Sequence, residues 1–189
     1  IMDNFESKVR VTLPQYAIEV LDTDIYDFDT TKNKLCNEIF LALHHIRELD
    51  NSLNKNSETD VLQFTLNKTN LDFFIDGFPR QEITNKAEYF RRIFMTYCNQ
   101  PRYKRELSLN EPNVTKIKKA ISQKRKLLIR YNKEFRYIEP YAILRSDNET
   151  RNYIFCYCHK HQDYINYRLT KTDAVSVTSE GFEHYDQDF

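Results

Sequence analysis

Lys8-Val9-Arg10-Val11-Thr12-Leu13-Pro14 alternates in character, with Val9, Val11 and Leu13 on one side and Lys8, Arg10 and Thr12 on the other. A period of two is the pattern of a half-buried strand. Pro14 then opens a helix, since the first helical turn leaves its N–H groups unused and proline lacks one. Tyr16-Ala17-Ile18 and Val20-Leu21 supply that helix's apolar face, and an aspartate-rich turn ends it. From Thr30-Thr31, with threonine as N-cap, a second helix follows with Leu35, Cys36, Ile39, Phe40, Leu43 and Ile46 at helical spacing. The unit reads strand, helix, helix.

The same unit recurs after the polar stretch Asn51 to Asp60, which has the composition of a linker. Leu62-Gln63-Phe64-Thr65-Leu66 repeats the alternation. Leu71, Phe73, Phe74 and Ile75 take the places of Ile18, Val20, Leu21 and Asp22, and Lys86 through Phe94 match Lys32 through Phe40. The offset is 53 residues, becoming 54 after the turn. A unit this small cannot bury its own apolar face, so the copies 8–53 and 61–107 are expected to pack on each other as one domain, 8–107.

Composition narrows the function classes. The 189 residues carry 28 basic and 28 acidic groups, and only two are glycine. Neither a dinucleotide-binding glycine fingerprint nor a phosphate-cradling P-loop can be written with two glycines, and no cofactor is expected. No apolar run approaches the ~20 residues of a membrane span, and Ile1-Met2-Asp3 begins no secretory signal, so a cytoplasmic location without membrane partners is expected. The neutral total hides an asymmetry. Residues 1–79 hold 7 Lys/Arg against 14 Asp/Glu, residues 86–137 hold 15 against 4, and residues 138–189 hold 5 against 9. Because only charges within about 8 to 10 Å act on one another in physiological salt, the basic centre can attract phosphate despite the neutral sum.

Beyond residue 112 the pattern changes. A basic helix, Val114 to Ile121, precedes the apolar run Leu127-Leu128-Ile129-Arg130-Tyr131. Short strands follow at Phe135 to Leu144, Asn152 to Cys158, Tyr164 to Leu169 and Ala174 to Val177, with polar turns between them, as in a small barrel or sandwich. Ala120-Ile121, Ile129-Arg130-Tyr131, Arg136-Tyr137-Ile138-Glu139-Pro140-Tyr141-Ala142-Ile143-Leu144, Asn152-Tyr153-Ile154 and Tyr167-Arg168-Leu169-Thr170-Lys171 together resemble the WYL domain across about residues 113–178. That resemblance implies a small Sm-like β-barrel over 113–180, preceded by a helix, that senses a ligand in bacterial transcription regulators. The triplet that names the family stands here as Asn152-Tyr153-Ile154, without its tryptophan. Arg136, Pro140, Arg168 and Lys171 occupy the positions where the family places its ligand-facing residues. Arginine forks match phosphate and tyrosine faces stack on bases, so Tyr131, Arg136, Tyr153, Arg168 and Lys171 are the candidate site for a nucleotide or other anionic ligand.

Residues 8–49 and 61–98 resemble the ribbon-helix-helix family of DNA-binding proteins. Members of that family pair two strands into an antiparallel ribbon that enters the major groove, while the second helices grip phosphate. Two copies in one chain could close the ribbon without a partner. Arg10 suits guanine and Gln63 adenine, Thr12 and Thr65 suit a thymine methyl, and Lys8 supplies phosphate charge. Thr30, Thr31 and Lys32, with Thr84, Asn85 and Lys86, offer N–H groups and charge at two helix starts. The expected chain is thus α+β: a ribbon-helix-helix-like helical domain with a tandem repeat, then a WYL-like barrel. The expected function is a ligand-responsive, nucleic-acid-binding transcription regulator, implied by the resemblance to act as a homodimer. The alternative is a CRISPR-associated accessory protein that binds single-stranded RNA and modulates an RNA-guided effector. Either way the basic and aromatic residues must meet on one concave surface.

Catalysis is not expected. Cys156-x-Cys158-His159-x-His161 gathers metal-competent residues but lacks the separated ligand pairs of structural zinc sites, so no metal is expected. His44-His45 has no glutamate at metalloprotease spacing, and the aspartates at 22, 24, 27 and 29 read as solvated charge. The four cysteines read as reduced thiols.

Overall fold

The structure, a computed structural model, describes residues 6–50, 58–78, 85–148 and 150–184, apart from the side chain of Ala174. The expected linker lies mostly outside them, as does Thr84. The chain forms two compact units, Ile1–Pro101 and Arg102–Phe189. Residues 102–107, counted with the second repeat on sequence, lie in the second unit.

In the first unit, β1 (Lys8–Pro14) leads into α1 (Gln15–Asp27) and α2 (Lys32–Leu43), and β2 (Thr59–Thr65) leads into α3 (Lys68–Gly77) and α4 (Lys86–Cys98). β1 and β2 pair antiparallel into a two-stranded ribbon within the one chain. Alternation drives one ribbon face inward. Val9, Val11 and Leu13 are buried, and so are Leu62, Phe64 and Leu66, each 53 residues on. The helices match likewise: Ala17 and Leu21 of α1 are buried where Asn70 and Phe74 are in α3, and Leu35, Cys36, Ile39, Phe40 and Leu43 of α2 are buried where Tyr89, Phe90, Ile93, Phe94 and Tyr97 are in α4. Phe90 is central to the resulting aromatic core, with ring centroids 5.2 Å from Phe74, 5.7 Å from Phe40 and 5.9 Å from Phe64.

Two buried polar contacts fix this unit, although Thr30 Oγ1 and Arg92 Nε are buried without a hydrogen-bond partner. The Tyr97 hydroxyl donates to Asp24 Oδ2 at 2.6 Å, with both residues fully enclosed. Asn37 Nδ2 donates to the carbonyls of Asn33 and Thr65, and its Oδ1 accepts from the Asn67 N–H, fixing the end of β2 on α2.

The second unit starts with α5 (Arg102–Leu109) and α6 (Glu111–Gln123), followed by β3 (Arg125–Tyr131), β4 (Glu134–Arg145), β5 (Asn152–Cys158), β6 (Asp163–Arg168), a 3-10 turn (Leu169–Lys171) and β7 (Thr172–Gly181). Asn132 and Lys133 both have positive φ, 50° and 66°, and make the tight two-residue hairpin joining β3 to β4. The antiparallel strands run in the order β6-β5-β4-β3-β7. β6 and β7 are therefore opposite edges of the sheet, yet only the 3-10 turn joins them. Five strands laid flat would set those edges about 19 Å apart. The four steps from Arg168 to Thr172 reach at most about 14 Å, so the sheet must curl. The small Sm-like barrel expected is present as a curled half-barrel, open between its edges because β6 and β7 do not pair. α6 lays Val114, Ile117 and Ala120 onto the concave face, against Leu127, Ile129, Ile138, Ile154 and Val175.

Candidate nucleic-acid interface

The ribbon's outer face carries the residues expected there. Lys8, Arg10 and Thr12 of β1 and Val61, Gln63 and Thr65 of β2 are all exposed. The register sets Lys8 opposite Thr65, Arg10 opposite Gln63 and Thr12 opposite Val61. Arg10 therefore faces its own counterpart in the repeat, which puts Arg10 and Gln63 at the ribbon's centre of pseudo-symmetry. From Lys8 to Thr12 the strand runs about 13 Å, and the two strands lie about 4.8 Å apart, dimensions that a major groove about 12 Å wide accepts.

Lys86 is placed differently. Its ammonium donates to the carbonyls of Glu6 at 2.6 Å and Lys8 at 2.9 Å, and burial pushes its pKa down. This charge holds the start of β1 rather than facing solvent beside the ribbon. The helix starts are likewise engaged by their own chain: the Thr31 hydroxyl accepts from the Lys34 N–H, and Asn85 Oδ1 from the Glu88 N–H.

In the second unit the five ligand-site residues do not share one surface. Directly opposed residues of a ladder point to the same face. Arg136 opposes Ile129, a core residue, so Arg136 and Tyr131 lie on the concave face near the β3–β4 hairpin. Tyr153 opposes Arg168 while its neighbour Ile154 opposes Tyr167 in the core, so Tyr153 and Arg168 lie on the convex face. Lys171 is exposed on the 3-10 turn. The division follows from alternation itself: Ile154, Cys156 and Cys158 of β5 face the core, so Tyr153 faces away from it, whereas Arg136 shares the core face with Ile129.

On the concave face, Arg136 Nη1 donates to the Tyr167 hydroxyl at 3.0 Å and Nη2 meets Glu134 Oε2 at 3.2 Å. The guanidinium lies 5.5 Å from the Tyr131 ring centre and 5.4 Å from that of Tyr167, a cation–π arrangement. Arg136 Nε is buried without a partner. The Tyr167 hydroxyl donates to Cys158 Sγ at 3.1 Å, and burial together with that bond pushes its pKa up to about 12. Glu134 also pairs with Lys160, and hydrogen bonds from Lys160 and then Arg136 hold its carboxyl below the usual range. Any stability from this lowered pKa is present at neutral pH and is lost as pH falls through the folded-state value. The Lys160→Ala variant should raise the Glu134 pKa toward the ordinary carboxylate value in an NMR carboxyl titration; an unchanged titration would show that Lys160 does not hold the charge.

On the convex face, Leu144, Arg145, Ser146, Tyr153 and Asn166 line a shallow cavity of about 320 Å³. Arg145 stacks 4.2 Å from the Tyr103 ring centre. Arg168 has no ion-pair partner among the described residues. Three residues were not among the site candidates read from the sequence: Tyr167, Glu134 and the buried Glu106 of α5. Tyr167 could have been found, because alternation in β6 puts it two residues beyond Ile165; the carboxylates carry no local signal.

Among the described residues no helix is long and apolar enough to cross a membrane. No curated protein matches the chain. Among solved structures, it is similar to a protein described as a CRISPR Cas-related protein, with 12% identity and a TM-score of 0.67 over 96% of this chain and 66% of that one. The chain thus spans just under two thirds of that protein, and the likeness is one of fold. A proteasome accessory factor B/C (PafBC) of Arthrobacter aurescens aligns with 14% identity over 68% of this chain and 24% of that one, with a TM-score of 0.37. Residues 112–177 match the model of the WYL domain family, in agreement with the helix and curled sheet found there. Within the second unit, a WYL domain is thus present over residues 112–177.

Proposed function

We propose that this chain is a non-enzymatic, nucleic-acid-binding regulator: its ribbon reads duplex DNA in the manner of ribbon-helix-helix proteins, and its WYL domain responds to an anionic ligand. The observation that carries this reading is the exposed ribbon face, on which Lys8, Arg10, Thr12, Gln63 and Thr65 lie together with Arg10 and Gln63 at the centre. Cation, amide and hydroxyl groups on one strand pair are the donors and acceptors that distinguish base edges. Since β1 and β2 pair within the chain, a homodimer would use another surface.

A second reading, an accessory protein of an RNA-guided effector that binds single-stranded RNA, is favoured by the convex face of the WYL domain. There Arg168 lies beside Tyr153, and a cation next to an aromatic ring suits unstacked bases.

A salt titration of binding to duplex DNA and to single-stranded RNA separates the two. The slope of log affinity against log salt counts the phosphates neutralised, and the affinity ratio selects the partner. The duplex reading expects the larger loss from Arg10→Ala, and the RNA reading from Tyr153→Ala and Arg168→Ala. Weak, salt-independent association with both nucleic acids would reject both readings.

A further inference from the structure

Glu139 is fully buried on the convex face of β4, where a carboxylate needs a compensating charge. Its Oε1 accepts from the backbone N–H groups of Glu183 and His184, both at 2.8 Å. Its Oε2 faces two imidazoles, His184 Nδ1 at 2.9 Å and His159 Nε2 at 2.9 Å. The three ligand-competent atoms lie within 4.8 Å of one another. They come from three separate segments: β4, the turn after β5 and the chain that follows β7.

The approach of His159 is informative. Its Nε2 is buried and stands at hydrogen-bond distance from the carboxylate, yet makes no hydrogen bond. A hydrogen bond requires the nitrogen to aim at the oxygen. Two ligands of one metal ion aim at the ion instead. With bonds of about 2.1 Å, cis ligands of an octahedral ion lie about 3.0 Å apart and those of a tetrahedral ion about 3.4 Å, and each points about 35° to 45° off the line joining them. For His159, a separation of 2.9 Å with the nitrogen misaligned fits the octahedral spacing better than it fits a hydrogen bond, while His184 Nδ1 meets the same oxygen at 2.9 Å in hydrogen-bond geometry. The site is also braced from outside: the Tyr157 ring stacks on His184 with centroids 3.6 Å apart, and Lys126 holds Glu183 at 2.7 Å.

We propose that Glu139, His159 and His184 bind one first-row divalent cation of zinc's chemical class. Two imidazoles and one carboxylate are a donor set suited to zinc, cobalt or nickel, and three protein ligands leave a position for water or an anion. The ion would fasten the segment after β7 to the outside of the sheet. Cys156 and Cys158 take no part, because both are buried on the opposite face of β5.

The test uses the untagged full chain titrated with Co²⁺ and with Zn²⁺. Expected are one equivalent of bound cobalt, visible d–d absorption without a thiolate charge-transfer band, and a zinc-dependent rise in melting temperature. His159→Ala and His184→Ala should each weaken binding about tenfold or more and abolish that rise. Circular dichroism without metal should show both variants folded, and Glu139→Gln, which preserves shape, should lose the metal too. Absence of stoichiometric binding, a thiolate band, or affinity undiminished in the histidine variants would overturn the proposal.

Discussion

Replacing Arg10 with alanine should lower affinity for a preferred duplex site by about 1–3 kcal/mol, roughly tenfold to a hundredfold, and flatten the preference for that site over mismatched ones. The side chain is exposed at the centre of the ribbon, so the fold should keep its melting temperature. Lys8→Ala is the control. A phosphate contact carries no sequence information, so its loss should weaken all sites alike and reduce the salt slope by about one. Gln63→Ala probes the symmetric position across the ribbon. Quantitative binding to a matched and a mismatched duplex distinguishes these outcomes. If Arg10→Ala reduced both affinities equally, Arg10 would be a phosphate contact and the base-reading role would fail.

Glu106→Ala should be the most destabilising single change at a polar residue, by about 2–4 kcal/mol. Glu106 is 3% exposed on α5, and its Oε1 accepts from the Asn152 backbone N–H at 2.8 Å and from Asn152 Nδ2 at 2.7 Å. Its other oxygen takes the Thr170 hydroxyl. Asn152 is itself 3% exposed, so the carboxylate forms a buried polar link between α5 and the start of β5. Removing the carboxylate takes an acceptor from three donors, of which Asn152 Nδ2 keeps its bond to the Tyr103 carbonyl, and each unsatisfied buried donor costs about 1–3 kcal/mol less any relaxation. Glu106→Gln should cost less but still measurably, because its amide NH₂ turns a donor toward donors. Urea unfolding gives the comparison. A loss below about 0.5 kcal/mol for Glu106→Ala would mean that water satisfies these groups, placing the stability of the unit in its apolar core alone.

The duplicated half was legible because periodicity is local. Val9, Val11 and Leu13 alternate within five residues, and a buried face needs no distant information to declare itself. The strands of the WYL domain were read for the same reason: Asn152 to Cys158 is a strand with those ends, while Ala174 to Val177 is the middle of the longer Thr172–Gly181. The ligand surface was misjudged because facing is a property of the ladder. Tyr153 and Arg136 carry suitable chemistry, but the register alone sends one outward and the other inward. The role of Lys86 was hidden likewise, since its two carbonyl partners lie at least 78 residues away in sequence.

By itself the sequence determined the order of strands and helices apart from α5, the matching pattern of the two N-terminal stretches, the faces of the ribbon that would be buried, and the WYL character of residues 112–177. These follow from side-chain volume and polarity repeating at the period of the backbone. Only the tertiary structure decided that β1 and β2 meet with Arg10 opposite Gln63, that the sheet curls without closing, and that Glu139, His159 and His184 converge. Those outcomes depend on chain segments tens of residues apart being brought within hydrogen-bond distance, which packing and strand register fix and no local pattern encodes.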